Sequence, residues 1–113
     1  MQNYQIEAFD DYSEVIFNGD LTIDDTQNIK KELKMHLANS ITKNMLVNLE
    51  HVQFMDSSGL GLLISLFKEV NEQKGEIVFL GIQEYVAKLL EMVKLNQIFK
   101  IAENLEEAQK MIK

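Results

Sequence analysis

The residues with the clearest chemical potential are Asp56, Ser57 and Ser58, a carboxylate followed by two hydroxyls directly before Gly59 and a long apolar stretch. Asp and Ser are preferred at the start of a helix, where free backbone N–H groups and the positive end of the helix dipole favour a negative group. A phosphate is tolerated or stabilised at such a position. The run therefore predicts a helix start, with Ser57 as its candidate working residue.

Nucleophilic catalysis by Ser57 is not supported by its surroundings. A serine hydrolase needs a base beside the serine and usually a GxSxG turn, but Met55 stands where the first glycine would be. His51 is six residues away and His36 belongs to another predicted helix, so spacing places neither imidazole as a base. We expect the chain not to be an enzyme and to have no catalytic residues.

Phosphate-binding and metal-binding motifs are also missing from the sequence. Gly59 and Gly61 give GxG, but Ile64 stands where the third glycine of a GxGxxG motif would be, and GxxxxGK[ST] does not occur. His and carboxylate residues are not clustered at metal-ligand spacing. We expect no cofactor and no metal, although residues 57–61 leave open an anion cradle for a nucleotide or another small ligand.

The two glycines need a reason of their own, because alanine would favour the helix by about 1 kcal/mol at each position. Gly59 and Gly61 lie in the first turn and a half of the predicted helix. The absence of side chains at these two positions would allow either of two contacts. A partner surface could approach closely and contact Leu60 as well, or the helix could pack tightly on a neighbouring strand. A purely capping role for Asp56 and the serines is the simplest alternative reading of the run.

The elements that position this run alternate along the chain. Residues 4–17 alternate apolar and polar side chains around an acidic turn, which predicts a β-hairpin, and dense apolar strands follow at 45–49 and 77–80. Apolar residues at helical spacing predict four intervening or closing helices. The fold class is therefore α/β, a mixed, mostly parallel sheet with an N-terminal antiparallel hairpin strand and about four helices packed against it.

Several element ends are also predicted. Asp24 or Asp25 is expected to cap the first helix, and Gly75 to end the helix that begins near Ser57. The last strand is expected at residues 98–101.

Composition limits the classes of partner. The 113 residues suit one domain, 1–113, and carry a net charge of −7 with no Cys and no Arg. Nucleic-acid binding relies on basic groups and is not expected. The sequence has no apolar stretch long enough for a bilayer and no N-terminal export signal, so we expect a soluble cytoplasmic protein that does not act at a membrane.

One family matches these residues. The run VNLEHVQFMDSSGLGLLISLFKEV, together with NGDL at 18–21, Gly75–Glu76 and VAKLLEMVKLNQIF, closely resembles the signature of bacterial anti-sigma factor antagonists of the STAS domain family. The resemblance covers nearly the whole chain.

The resemblance implies a regulatory binding protein. The unphosphorylated antagonist would bind an anti-sigma factor that is also a serine kinase and so release the sigma factor. The kinase would phosphorylate Ser57, which would switch binding off, and a phosphoserine phosphatase would reset the cycle. The implied partner-binding residues are Asp56, Ser57, Ser58, Gly59, Leu60, Gly61 and Thr22. Family members often have Asp where Thr22 stands, so the charge at that position is missing.

The same family also leaves other roles open. STAS domains serve as scaffold or sensor subunits in stress-signalling complexes and as components of lipid transport systems. The intact serine favours the phosphorylation switch among these roles.

Overall fold

The computed structural model describes the backbone of residues 4–112 and, within that range, all side chains except those of residues 23–25. Strands and helices alternate after an initial hairpin, as the sequence pattern predicts. The strands are β1 (Tyr4–Ala8), β2 (Ser13–Phe17), β3 (Met45–Asn48), β4 (Ile77–Leu80) and β5 (Lys100–Ala102). The α-helices are α1 (Ile23–Asn39), α2 (Ser57–Glu72), α3 (Glu84–Met92) and α4 (Leu105–Ile112).

The five strands form one sheet in the order β1-β2-β3-β4-β5. β1 is antiparallel to β2, and each later strand is parallel to its neighbour. Val15, Val47 and Phe79 lie side by side across the three central strands. The predicted α/β class, with a mostly parallel sheet and an antiparallel N-terminal strand, is confirmed.

Helices cover both faces of the central strands, which explains why β3 and β4 are apolar at nearly every position. Val47 and Phe79 belong to the larger core, which also contains buried residues of α1, α2 and α3. Leu46 and Val78 point to the opposite face and join a smaller core with Ala108 of α4. Because α2 packs against the larger core, the position of its first residues is fixed.

The start of α1 differs from the expectation. Thr22 occupies the N-cap position with extended backbone, and its side chain makes no capping hydrogen bond. The prediction that Asp24 or Asp25 caps this helix is therefore wrong, since both residues follow the first helical residue. The helix starts early because Leu21 is held in a short bridge to Met55, which fixes where the extended segment ends.

The end of α2 also differs from the expectation. The left-handed residue is Lys74, with φ of 64°, whereas Gly75 follows it and donates its backbone N–H to the Val70 carbonyl at 2.9 Å. A Cβ on Gly75 would lie 2.0 Å from the Lys43 carbonyl oxygen. Gly75 is thus required by close packing of two chain segments, and the left-handed position belongs to its neighbour.

The last strand begins later than predicted. Residues 95–97 form a short 3-10 turn, and pairing with β4 begins at Lys100. Phe99 is buried and stacks on Phe79, with ring centroids 4.3 Å apart. Phe99 therefore anchors the turn in the core, whereas Ile98 is exposed.

Candidate functional site

The connection between β3 and α2 is held beside the segment that follows β2. The Leu21 N–H donates to the Phe54 carbonyl, and the Asp56 N–H donates to the Leu21 carbonyl, both at 3.2 Å. Leu21 and Met55 form an isolated parallel bridge and are both buried. Thr22, the next residue, therefore lies beside the start of α2, so the structure brings it close to the FMDSSG run.

Asp20 secures the same connection through its side chain. Its Oδ1 accepts hydrogen bonds from the backbone N–H groups of Gln53 at 3.2 Å and Phe54 at 3.1 Å. Sequence reasoning assigned no role to Asp20. The available signal was the polar Asn-Gly-Asp run directly before a buried Leu, because Asp side chains commonly satisfy backbone N–H groups in loops.

Asp56 caps α2 with its side chain. Its Oδ1 accepts from the backbone N–H of Ser58 at 2.9 Å and of Gly59 at 3.2 Å, and also from the Ser58 hydroxyl. Its carbonyl accepts from the Leu60 N–H at 3.1 Å. The carboxylate therefore satisfies two of the free N–H groups of the first turn and holds the Ser58 hydroxyl in place.

The two adjacent serines are in different environments. Ser57 is the first residue of α2 and its side chain is exposed, whereas Ser58 is half-buried and donates its hydroxyl to Asp56. Among the side chains that the structure describes, none forms a hydrogen bond with the Ser57 hydroxyl. Of the contacts that the structure describes, an approaching group would thus break one at Ser58 but none at Ser57.

The two glycines of the first turns serve different ends. A Cβ on Gly59 would lie 2.8 Å from the Leu21 carbonyl oxygen and 2.8 Å from the Met55 Cβ, so the close packing at this position requires glycine. Gly61 is exposed, and a Cβ there would meet nothing within 4 Å. Internal packing thus explains Gly59, whereas none of the described residues accounts for the glycine at position 61.

A small groove separates α1 from the start of α2 on the side of Ser58. It has a volume of about 160 Å³ and is lined by Thr26, Gln27, Lys30, Ser58, Gly61 and Leu62. Lys30 is half-buried here. The spacing of Thr26 and Lys30 could have indicated that both line the same groove, because residues four apart share one face of a helix.

An exposed aromatic pair lies next to the connection. The rings of Phe54 and Tyr85 have centroids 5.2 Å apart, and the two residues are 41% and 48% exposed. Sequence reasoning did not identify either residue. Tyr85 follows the first residue of α3, so the pair extends the exposed surface from the β3–α2 connection to the start of α3.

The two histidines make their contacts away from Ser57. His36 Nε2 lies 3.0 Å from the buried Ser13 hydroxyl, and His51 Nε2 lies 3.5 Å from the Glu50 carboxylate. Within residues 4–112, leaving aside the undescribed side chains, no three His, Cys, Asp or Glu residues converge as a metal site would require. The described contacts of the two imidazoles therefore place neither of them beside Ser57 as a base.

The anion cradle considered for residues 57–61 is partly filled by the protein itself. The Asp56 carboxylate already accepts the N–H groups of Ser58 and Gly59, which an incoming phosphate of a nucleotide would use. A free anion would also meet the negative charge of Asp56. These contacts disfavour nucleotide binding at this turn.

In the part of the chain that is described, no helix is both long enough and apolar enough to span a bilayer.

Comparison with known proteins gives a family match. The model of the STAS domain matches residues 3–108. The chain is 29% identical over 104 residues to the anti-sigma-B factor antagonist of Staphylococcus aureus (strain NCTC 8325 / PS 47), covering 92% of this chain and 95% of that protein.

Solved structures share the fold. A protein from Thermotoga maritima superposes with a TM-score of 0.90 at 23% identity, covering 96% of this chain and 93% of that one. The Bacillus cell fate determinant SpoIIAA in its phosphorylated form gives a TM-score of 0.75 at 22% identity, covering 97% and 99%. The unphosphorylated form of SpoIIAA, an anti-sigma factor antagonist, gives 0.73 at 21% identity, covering 94% and 93%.

Proposed function

The chain belongs to the STAS domain family, and we propose that it acts as an anti-sigma factor antagonist switched by phosphorylation at Ser57. In this proposal the unphosphorylated protein binds an anti-sigma factor that is also a serine kinase, which frees the sigma factor. Phosphorylation of Ser57 ends that binding, and a phosphoserine phosphatase restores it. The protein is a regulatory binding module and a substrate, and it performs no catalysis.

The observation that carries the proposal is the contrast between the two adjacent serines. Ser57 is exposed at the first position of α2, whereas the Ser58 hydroxyl is held by the Asp56 carboxylate. A kinase must place the acceptor hydroxyl in line with the γ-phosphate. This requires a hydroxyl that is exposed and is not held by another side chain of the protein. Ser57 meets this requirement, so we assign the phosphorylation site to Ser57.

The similar proteins support the same assignment of function. The relative from Staphylococcus aureus is an anti-sigma-B factor antagonist, and the match spans nearly its whole length. SpoIIAA is an anti-sigma factor antagonist that exists in both phosphorylated and unphosphorylated forms. A phosphorylation switch in the present chain follows the same pattern.

The proposed partner surface surrounds Ser57. The exposed backbone at Gly61 allows a partner to approach α2 closely, and Thr22 lies beside the start of that helix. The half-buried Leu60 and the aromatic pair Phe54–Tyr85 supply apolar area next to these polar groups. The surface consists of Asp56, Ser57, Ser58, Gly59, Leu60, Gly61 and Thr22, with Gly59 contributing through the packing that places the others.

The switch is expected to act through charge on this surface. A phosphate adds about −1.5 to −2 charges at neutral pH. On Ser57 it would adjoin the Asp56 carboxylate, whose Oδ1 already accepts the nearest N–H groups. The new charge is therefore left on the surface, where it opposes a partner that fits the uncharged hydroxyl. The buried face of α2 is untouched, so the fold should remain intact.

The test uses the anti-sigma factor kinase encoded by the same organism, mixed with the full chain and ATP. Mass spectrometry is expected to find one phosphate, on Ser57, in wild type and in Ser58→Ala. Ser57→Ala should bind the kinase but accept no phosphate. Ser65→Ala, at a half-buried serine two turns along α2, is the control for loss of a hydroxyl. Phosphate on Ser58 in the wild-type protein would contradict the assignment.

A binding measurement tests the second half of the proposal. Ser57→Asp is expected to bind the kinase at least tenfold more weakly than wild type, a loss of about 1.4 kcal/mol. Circular dichroism should show unchanged helix content in the variant and in the phosphorylated protein. Equal affinities of wild type and Ser57→Asp would contradict a charge-based switch, and loss of helix would contradict a switch confined to the surface.

A further inference from the structure

A large cavity lies at the carboxyl ends of β4 and β5, and no residue of the Ser57 surface lines it. It has a volume of about 650 Å³ and opens between the β4–α3 loop, α3 and the segment after β5. Its base is apolar, formed by the buried Leu90 and Ala102 with the half-buried Ile82 beside them. This volume falls within the range of sites that hold small organic molecules, roughly 300 to 1,000 Å³.

The walls of the cavity are fixed by contacts between loops. Gly81 has φ of +70°, and a Cβ there would lie 2.8 Å from the Glu50 Cβ and 2.9 Å from the Glu50 backbone nitrogen. The Gln83 side-chain amide donates to the Glu50 carbonyl at 2.7 Å, and the Leu49 N–H donates to the Leu80 carbonyl at 2.8 Å. The loops after β3 and β4 are thereby held against each other, so this wall is formed before any ligand arrives.

The rim of the cavity is negatively charged. Glu50, Glu91 and Glu103 line it, and none of the described lining residues is a Lys, an Arg or a His. His51 lies 3.5 Å from the Glu50 carboxylate, whereas Glu91 and Glu103 form no ion pair with the described side chains. The three carboxylates do not converge as a metal site requires. An organic cation therefore suits this rim better than a bare metal ion.

We propose that this cavity binds a small aliphatic amine. The apolar base of Leu90, Ala102 and Ile82 would contact its hydrocarbon part, and the ammonium groups would lie at the rim beside Glu91 and Glu103. None of the residues that line the cavity belongs to the Ser57 surface defined above.

The test titrates the full chain with 1,6-diaminohexane and follows backbone amide signals by nuclear magnetic resonance. Saturable shifts are expected at Gly81, Ala87 and Ala102, whereas 1,6-hexanediol, which lacks the charge, should produce none up to about 10 mM. A parallel titration with magnesium chloride tests whether a metal cation without a hydrocarbon part gives the same shifts. Absence of saturable shifts with the diamine, or equal shifts with the diol or with magnesium, would overturn the proposal.

Variants assign the binding to the cavity. Glu91→Gln and Glu103→Gln are each expected to weaken diamine binding about fivefold, as loss of a partly exposed ion pair would. Ala87→Leu, at an exposed helical position on the cavity wall, should weaken it further by occupying the space. Glu72→Gln removes an equal charge from the exposed end of α2 and should leave binding unchanged. An equal effect of Glu72→Gln would show attraction to net charge alone and would overturn the proposal.

Discussion

The Asp20 carboxylate accepts a hydrogen bond from the backbone N–H of Phe54 at 3.1 Å, across 34 positions of sequence. The same oxygen accepts from Gln53 at 3.2 Å. These bonds join the segment after β2 to the loop before α2, and the backbone pairing of Leu21 with Phe54 and Asp56 continues the connection. The position of Ser57 therefore depends on a residue far from it in sequence.

Replacing Asp20 tests this dependence. Asp20→Ala should lower the free energy of unfolding by about 1 kcal/mol, because two N–H groups lose a charged acceptor while remaining accessible to water. Asp20→Asn keeps an oxygen acceptor and should recover part of the loss. Urea denaturation measures both variants.

Asp10→Ala provides the control for the Asp20 variants, since Asp10 is an exposed residue of the hairpin turn. Its effect should stay within about 0.5 kcal/mol, the range of ordinary surface substitutions. If Asp10→Ala and Asp20→Ala were equally destabilising, Asp20 would have no special role in holding the loop.

The fold could be predicted largely because its signals are local. Dense apolar strands at 45–49 and 77–80 and helical spacing between them are sufficient to indicate a mostly parallel sheet. The Asp56 cap is local too, since an Asp precedes the helix start directly. Such features depend on residues close in sequence, so a single sequence displays them.

Other features could not be predicted because they depend on distant contacts. Thr22 rather than Asp24 or Asp25 precedes α1 because Leu21 pairs with Met55. Gly75 faces the Lys43 carbonyl, and nothing near Gly75 in sequence indicates that approach. The Phe54–Tyr85 pair likewise joins the loop before α2 to the first turn of α3, and its two residues are 31 positions apart.

The two glycines at the start of α2 give a matched pair of substitutions. Gly59→Ala should be clearly destabilising, since its Cβ would lie 2.8 Å from the backbone oxygen of Leu21, which cannot move without disturbing the bridge to Met55. Gly61→Ala should raise the free energy of unfolding by about 0.5 to 1 kcal/mol, because the new methyl group meets open space at an exposed helical position. Thermal or urea denaturation of the two variants measures the contrast.

Gly61→Ala also tests why a glycine is present. If the bare backbone serves a partner, this variant should be more stable than wild type and yet bind the anti-sigma factor kinase more weakly. Ser65→Ala, farther along α2, should leave binding unchanged. Unchanged binding by Gly61→Ala would show that the partner does not need close approach at this position.

The Asp56 cap can be separated from its charge by two substitutions. Asp56→Ala should lower the free energy of unfolding by about 1 to 2 kcal/mol, because the N–H groups of Ser58 and Gly59 lose their acceptor. Asp56→Asn retains a side-chain oxygen and a good capping residue, so its stability should be near that of wild type. Urea denaturation at neutral pH measures both, and equal losses in the two variants would point to the charge instead of the cap.

The raised pKa of Tyr4 predicts how the free energy of unfolding changes at alkaline pH. Burial, together with the hydrogen bond from its hydroxyl to the Glu32 carboxylate and the charge of that group, raises the pKa of Tyr4 from 10.0 to about 12. The neutral phenol is therefore favoured by folding. Its stabilising contribution is fully present below pH 10 and is lost as the pH rises from 10 to 12.

Tyr4→Phe isolates this contribution. At pH 8 the variant should unfold with a free energy about 1 kcal/mol lower than wild type, because one hydrogen bond to a carboxylate is missing. The difference should shrink above pH 10, because the phenol of the unfolded wild-type chain ionises there while the native phenol stays neutral up to about pH 12. Tyr85→Phe, which removes an exposed hydroxyl, is the matched control. Urea denaturation at pH 8, 10 and 11 measures the difference, and a constant gap between wild type and Tyr4→Phe across these pH values would contradict the raised pKa.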